Sequence, residues 1–410
     1  MRAVVVTPLT PLEPGRGMSG VYRRLGLFMS AIGQLADSID MLHLVPDWSA
    51  AEHPDPRALD ASQSAFWGHP VHVTLATTRR RRETFVNHYL TGIADAGAQK
   101  IFFPYAGPDQ SAALAALLAR PADLLFVHRL ASMLPLLRMP SPSARLFFDL
   151  DDIEHRVALR ACLAPPLWPG KLATLLQIPA IALAERRGAE RADLTFVCSE
   201  PDRRALARIA PRTAVIPNVI ALPPVPPPLP AAPTLLFLGA FNHAPNVEAA
   251  ERLVQRIMPR VRAAVPNAVA LIAGEGSQNL ASRRAAPPGV DYLGFVENLE
   301  ALYARTRVVC CPITVGGGTR IKLIEAAAYA RPIVATSIGA EGLAFADGAE
   351  ILLRETDATI AEACVRLLRD DALCQRLGQA ARAVTQRDYE ATNIRTRLIT
   401  LMQSPPPRNG

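Results

Sequence analysis

At 410 residues, half of them apolar by type, the chain is too long for one ordinary domain and hydrophobic enough to fill two cores. A net charge of +7 fits an anionic ligand, nucleic acid or an acidic membrane surface and selects none of them. Six cysteines (Cys162, Cys198, Cys310, Cys311, Cys364 and Cys374) form no CxxC pair and have no histidine at ligand spacing. This argues against zinc and a secreted disulfide framework, and for reduced thiols in a cytoplasmic protein.

The opening "MRAVVVTPLTP" is too short an apolar run for a signal peptide and is broken by prolines. Strand candidates in the first half are 3–7, 41–45, 71–75, 100–105 ("KIFFPY"), 123–128, 145–150 and 194–199, with a further buried run at 213–220. Longer Ala/Leu/Arg-rich segments separate them, the pattern of parallel strands joined by crossover helices. After the first strand, "PGRGMSG" places Gly15, Gly17 and Gly20 where a close turn is needed, although glycine-rich connections are common. Arginines cluster at Arg79–Arg82 and at Arg186, Arg187 and Arg191 without interleaved aromatics. A solvated face explains them better than a nucleic-acid surface, and contact with an anionic membrane stays as a minor reading.

The run "FFDLDDIEHR" crowds Asp149, Asp151, Asp152, Glu154 and His155 at the end of a buried strand. Such a group could bind metal, anchor Arg156 and Arg160, or receive an acceptor hydroxyl. His128, in "FVHR", reads either as a site residue or as a satisfied buried histidine. Between Lys171 and Glu185 the uncharged stretch is 13 residues and contains Pro179, short of the roughly 20 needed to span a bilayer.

A proline-rich segment at 222–233 cannot sustain a helix or a central strand and marks a linker. Beyond it the alternation restarts, with strands at 234–239, 268–274, 290–295, 307–313, 332–337 and 349–354. The helical segments between and after them include one continuous run over 358–386. Two Rossmann-like α/β domains with parallel sheets are therefore expected, with ligands beyond the carboxyl ends of the strands. The domains are 1–221 and 234–388, followed by a terminal helix over 389–403, with the possibility of packing on the first domain, and a disordered tail at 404–410.

The strand at 307–313 feeds a turn with Gly316, Gly317 and Gly318, and a helix begins near Thr319. Glycines expose backbone N–H groups, and a helix start favours anions. Arg320 and Lys322 oppose the helix macrodipole there unless an anion sits beside them. Glu325 is placed either to take two ribose hydroxyls or to make an i,i+3 ion pair with Lys322. The spacing is neither GxGxxG nor the Walker pattern.

"GGGTRIKLIEAAAYARPIVATSIGAEGL" resembles the donor-site signature of glycosyltransferase family 4 (glycosyl transferases group 1), retaining enzymes of the GT-B fold. "LLFLGAFNHAPNVEAAERLV", "ALIAGEGS" and "VDYLGFVENLEALYARTRVVCCPI" are similar to the same family in order and spacing. The resemblance implies two Rossmann-like domains facing a deep cleft, the first binding acceptor and the second a nucleotide-diphosphate sugar. No cofactor or metal is implied. The sugar passes to a hydroxyl of a glycan or lipid-linked saccharide with retention of anomeric configuration, in the cytoplasm or at the inner membrane face. It assigns Glu325 to the ribose, Arg320 and Lys322 to the diphosphate and to catalysis, and the backbone of Gly316, Gly317 and Gly318 to the sugar or its phosphate, with Thr319 also in the donor site. Gly17, Gly20 and Asn242 join the donor site, and Asp151 and His155 the catalytic group. Gly317 stands where many members carry a first glutamate, and Asn242 and His243 stand where many carry a cationic pair. A nucleotide-sugar 2-epimerase and a non-catalytic nucleotide-sugar-binding subunit are the alternatives.

Overall fold

The computed structural model describes residues 1–11, 20–46, 55–78, 85–207, 209–285 and 287–405. Its contacts divide the chain into one unit of Met1–Pro217 with Thr392–Gly410 and another of Asn218–Ala391. Gly15, Gly17, the Arg79–Arg82 run and most of the C-terminal tail lie outside the described residues.

In the first unit the strands are β1 (Arg2–Thr7), β2 (Ser38–Pro46), β3 (Val71–Thr78), β4 (Leu124–His128), β5 (Arg145–Asp151), β6 (Leu194–Val197) and β7 (Thr213–Val215). They form one parallel sheet in the order β3-β2-β1-β4-β5-β6-β7. The central strands are buried on both faces, which is why they read as unbroken Val/Leu/Phe runs rather than alternating ones. Helices Arg129–Leu137 and Pro169–Arg191 pack on this sheet, and Arg191 donates to the carbonyls of Leu136 (2.6 Å) and Met139 (2.9 Å). That arginine, grouped by sequence with a basic surface, ties the end of one helix to another. The last helix, Ala391–Gln403, is held in this unit by Arg145, whose guanidinium donates to Met402 and Gln403 carbonyls.

The second unit contains β8 (Thr234–Leu238), β9 (Val269–Ala273), β10 (Val290–Gly294), β11 (Val308–Cys311), β12 (Ile333–Ala335) and β13 (Leu352–Leu353), parallel in the order β10-β9-β8-β11-β12-β13. In both sheets the order reverses beside the first strand of the unit, between β1 and β4 and between β8 and β11. Ligands of open parallel sheets bind outside the strand carboxyl ends at such a point.

Three expectations need correction. "KIFFPY" is not a strand: Ile101 is 60% exposed, and Phe103–Tyr105 makes a short 3-10 turn with Pro104 near its start, leaving Phe102 to reach the core. The run 358–386 is two helices, Asp357–Arg369 and Asp371–Asp388. Asp370 takes extended φ and ψ between them and accepts from the Leu373 amide at 2.9 Å, capping the second. The proline run 222–233 falls within the second unit, whose boundary lies at Pro217/Asn218. Proline carbonyls still accept: Arg331 donates to Pro227 (2.7 Å) and Pro228 (3.0 Å), Arg307 to Pro230 (3.0 Å) and Arg382 to Pro223 (2.7 Å). The segment is a strap held by three arginines.

Gly274 follows β9 with φ at +129°, and a Cβ there would lie 1.9 Å from the Gly239 carbonyl oxygen at the end of β8. Gly274→Ala should therefore cost about 2 kcal/mol or more of stability, read as a lowered urea midpoint. An unchanged midpoint would refute the close approach of these two strand ends.

Candidate functional site

The switch point of the second sheet is built from the ends of β8 and β11. Gly239 follows β8; after β11 the chain turns through Gly316 (φ +120°) and Gly318 (φ +71°) into the helix Ile321–Ala328, with Arg320 at its N-cap position. Lys322, in the first turn, donates to Asn246 Oδ1 at 2.8 Å, and its ammonium lies 4.4 Å from the centre of the Phe237 ring. Asn246 is oriented for this because its own amide N–H bonds the Ala240 carbonyl at 2.8 Å. A Cβ at Gly239 would come within 3.0 Å of Lys322 Nζ, so a glycine is what leaves room for the ammonium.

Burial, with repulsion from Arg320, pushes Lys322 down to about 8. His243, in the turn after β8, is also held below its ordinary value, by lost hydration first and then by Arg320 and Lys322. Arg320 turns back on the loop, donating to the carbonyls of Gly317 and Gly318. Thr319 Oγ1 accepts from Asn218 at 2.8 Å, which fixes the entry to the helix. Glu325, three residues beyond Lys322, is 3% exposed.

The switch point of the first sheet carries a different group. Arg24, on the helix Gly20–Leu35, donates to both carboxylate oxygens of Asp149 (Nε at 2.9 and 3.1 Å) and to the Ile216 carbonyl at 2.8 Å. Both partners of this ion pair are fully buried. Asp151, the last residue of β5, has φ of +60°, and Arg129, the first residue after β4, has φ of +67°. Non-glycine residues in that region are strained, and here the two sit at adjacent strand ends with Arg129 Nε 3.7 Å from Asp151 Oδ2. Asp151 also takes Cys198 Sγ at 3.1 Å and lies 3.3 Å from Arg24 Nε. Burial opposes its charge, but Arg24 and Arg129 hold it below the usual carboxylate range, while burial lifts Asp149 to about 6 against the pull of Arg24. His128 Nδ1 is 3.0 Å from Thr7 Oγ1; its Nε2 has no hydrogen-bond partner among the described residues, and burial pushes the imidazole down to about 3. It is neutral at any physiological pH.

Residues 232–370 match the family model described as Glycosyl transferases group 1. That stretch is a glycosyltransferase domain. No curated protein matches the chain in sequence. Among solved structures the chain is similar to sucrose-phosphate synthase from Thermosynechococcus elongatus, at 18% identity and a TM-score of 0.67, covering 98% of each chain. It is similar to HepE from Anabaena in complex with UDP and glucose, at 13% identity and a TM-score of 0.63, covering 98% of this chain and 99% of that one. A glycosyltransferase from Rickettsia africae aligns at 12% identity with a TM-score of 0.60, covering 98% and 97%. At such identities the likeness is one of fold, the two parallel-sheet units of GT-B glycosyltransferases.

Within the glycosyltransferase domain, Gly316, Gly317, Gly318, Thr319, Arg320, Lys322 and Glu325 share one turn and the helix it starts. Asn242 is exposed in the turn after β8, and it is Asn246 that meets Lys322. Its position in the first helical turn after the domain's first strand was the available signal. In the other unit Gly20 begins the helix that carries Arg24. His155 is bonded to the buried carboxylate of Glu185 through Nδ1 and its backbone amide, while Asp151 bonds Cys198 and the arginines. Among the described residues no cluster of three or more His, Cys, Asp or Glu side chains is arranged to hold a metal ion.

Lys322 titrates near 8 in the folded chain and near 10.5 when unfolded, so the unfolded chain holds more protons between those values. Stability of the ligand-free protein should rise with pH from about 8 to about 10.5, by up to about 1.4 kcal/mol per pH unit, relative to Lys322→Met. Parallel urea titrations of both proteins across that range check this, and coincident pH profiles would contradict it. Arg24→Met should cost about 3–5 kcal/mol by stranding Asp149 in the core. An unfolding free energy within 1 kcal/mol of the parent would show that this pair contributes little.

Proposed function

We propose that the protein transfers a sugar from a nucleoside-diphosphate sugar to a hydroxyl of a glycan or lipid-linked saccharide, with retention and without a metal ion. The observation that carries the reading is the pairing of Arg320 and Lys322 at the start of the helix Ile321–Ala328, with buried Glu325 one turn on, inside the glycosyltransferase domain. HepE, similar in fold, was solved with UDP and with UDP-glucose.

In this reaction the bond between the anomeric carbon and the β-phosphate oxygen breaks, and the electron pair leaves with the phosphate. The acceptor oxygen bonds the same carbon from the same face, and its proton passes to the departing diphosphate. Negative charge grows on the phosphate while the sugar becomes cationic. Lys322 and Arg320 would bind that growing charge more tightly than the ground state, which is what lowers a barrier. The amide dipoles of the helix start act in the same direction. Glu325 would receive the ribose hydroxyls. With two cations binding the diphosphate, the charge that a divalent metal neutralises elsewhere is supplied by side chains.

Transfer is preferred to 2-epimerisation because the matching family model describes transferases. Glu325→Ala and Arg320→Ala should each weaken UDP binding about tenfold or more by calorimetry, the loss expected when a charge-assisted contact worth about 1.5–3 kcal/mol is removed. If both variants bind UDP as the parent does, the donor-site assignment fails. Incubation with UDP-glucose and no acceptor should leave the donor unepimerised, and appearance of the 2-epimer would favour the other enzyme reading.

A further inference from the structure

Apolar exposure on this protein is concentrated rather than scattered. Of thirteen large hydrophobic side chains exposed among the described residues, ten belong to residues 90–101 and 159–183 of the first unit. Helices Phe85–Ala94, Glu154–Leu163 and Pro169–Arg191 pack side by side there. Gln177 joins the first to the third by donating to the carbonyls of His88 and Tyr89 at 3.2 and 3.1 Å. Leu90 from one helix and Leu172 and Leu176 from another are each more than half exposed, as are Leu163, Leu167 and Trp168 at and after the end of the helix Glu154–Leu163.

The helix Pro169–Arg191 already buries an inner face through Ala180, Ile181, Ala184 and Gly188. Leu172, Leu176, Pro179 and Leu183 recur at spacings of four, three and four, which is one outer stripe. A helix buried on one side and apolar on the other is a poor solution for a water-facing surface, and a patch of this kind marks a contact surface. No helix among the described residues is long and apolar enough to cross a membrane, so insertion across a bilayer is not its use.

Charge selects the partner. Residues 155–184 hold Arg156, Arg160 and Lys171 and not one Asp or Glu. Trp168 stands 58% exposed at the start of the long helix, an amphipathic ring of the kind that sits at a headgroup boundary. Arg156 is answered by Asp202 at 3.6 Å, but Arg160 and Lys171 leave this stretch cationic with no carboxylate of its own, which matches a bilayer carrying anionic phospholipid.

We infer that this three-helix face docks the protein on an anionic phospholipid surface, with the leucine stripe and Trp168 entering the headgroup boundary. The inference rests on the transferase reading only for its purpose, to bring the enzyme to a lipid-linked acceptor; docking itself is read with no donor or acceptor present, so the two fail separately. The purified full chain is cosedimented with phosphatidylcholine vesicles, with and without phosphatidylglycerol, at low and high salt. The expected result is sedimentation with the phosphatidylglycerol vesicles, weakened by salt, and reduced tenfold or more in the Leu172→Glu/Leu176→Glu variant while its UDP affinity is unchanged. Lys171→Glu should weaken it without touching the apolar stripe. Recovery of the parent in the supernatant with both kinds of vesicle would overturn the inference. So would a concentration-dependent dimer, abolished by the same double variant, that forms in place of vesicle binding, since the face would then be an interface between two copies.

Discussion

A lysine ammonium at the start of a helix, hydrogen-bonded to an amide oxygen and resting over an aromatic ring, is the constraint around which the second unit is arranged. Lys322 meets Asn246 and Phe237, and burial drives it toward its neutral form. Nothing about helix stability asks for this, because a cation in the first turn opposes the macrodipole. The surrounding features accommodate it: glycine at 239 where a side chain would collide, an asparagine turned by its own bond to Ala240, and a loop whose left-handed glycines bring the chain into the helix beside β8. An anion there would relieve both the macrodipole conflict and the repulsion between Arg320 and Lys322.

The first unit solves a burial problem of another kind. Arg24 and Asp149 are both removed from water, and the pair persists because the guanidinium fork satisfies two carboxylate oxygens and a main-chain carbonyl at once. Around it Asp151 and Arg129 take left-handed backbone conformations, and His128 is kept neutral with one ring nitrogen unsatisfied among the described residues. Left-handed backbone at two adjacent strand ends and an unsatisfied ring nitrogen together mark the switch point of this parallel sheet.

Much of this could be read before any coordinates. The alternation of β-branched runs with amphipathic segments determines the two parallel sheets, since a strand buried on both faces must be apolar throughout. The glycine turn ahead of Arg320, Lys322 and Glu325 was visible because all its parts lie within ten residues. What stayed hidden depends on distant partners. Arg24 and Asp149 are 125 positions apart, and Asn246 lies 76 before Lys322. The prolines at 222–233 read as a linker because proline lacks a donor, but their carbonyls are ordinary acceptors, and Arg307, Arg331 and Arg382 come from far along the chain to use them. "KIFFPY" has the composition of a strand, and its proline and the outward Ile101 make it a turn. Where the resemblance places a first glutamate, the Gly317 carbonyl receives Arg320 instead.

The central claim is that residues 316–325 grip a diphosphate and a ribose. A crystal structure of the protein with UDP tests it directly. The account predicts diphosphate oxygens within hydrogen-bond distance of Lys322 Nζ and the Arg320 guanidinium, with the ribose hydroxyls on Glu325. A nucleotide ordered elsewhere, with Lys322 still bonded to Asn246 and Arg320 still folded on Gly317 and Gly318, would contradict it.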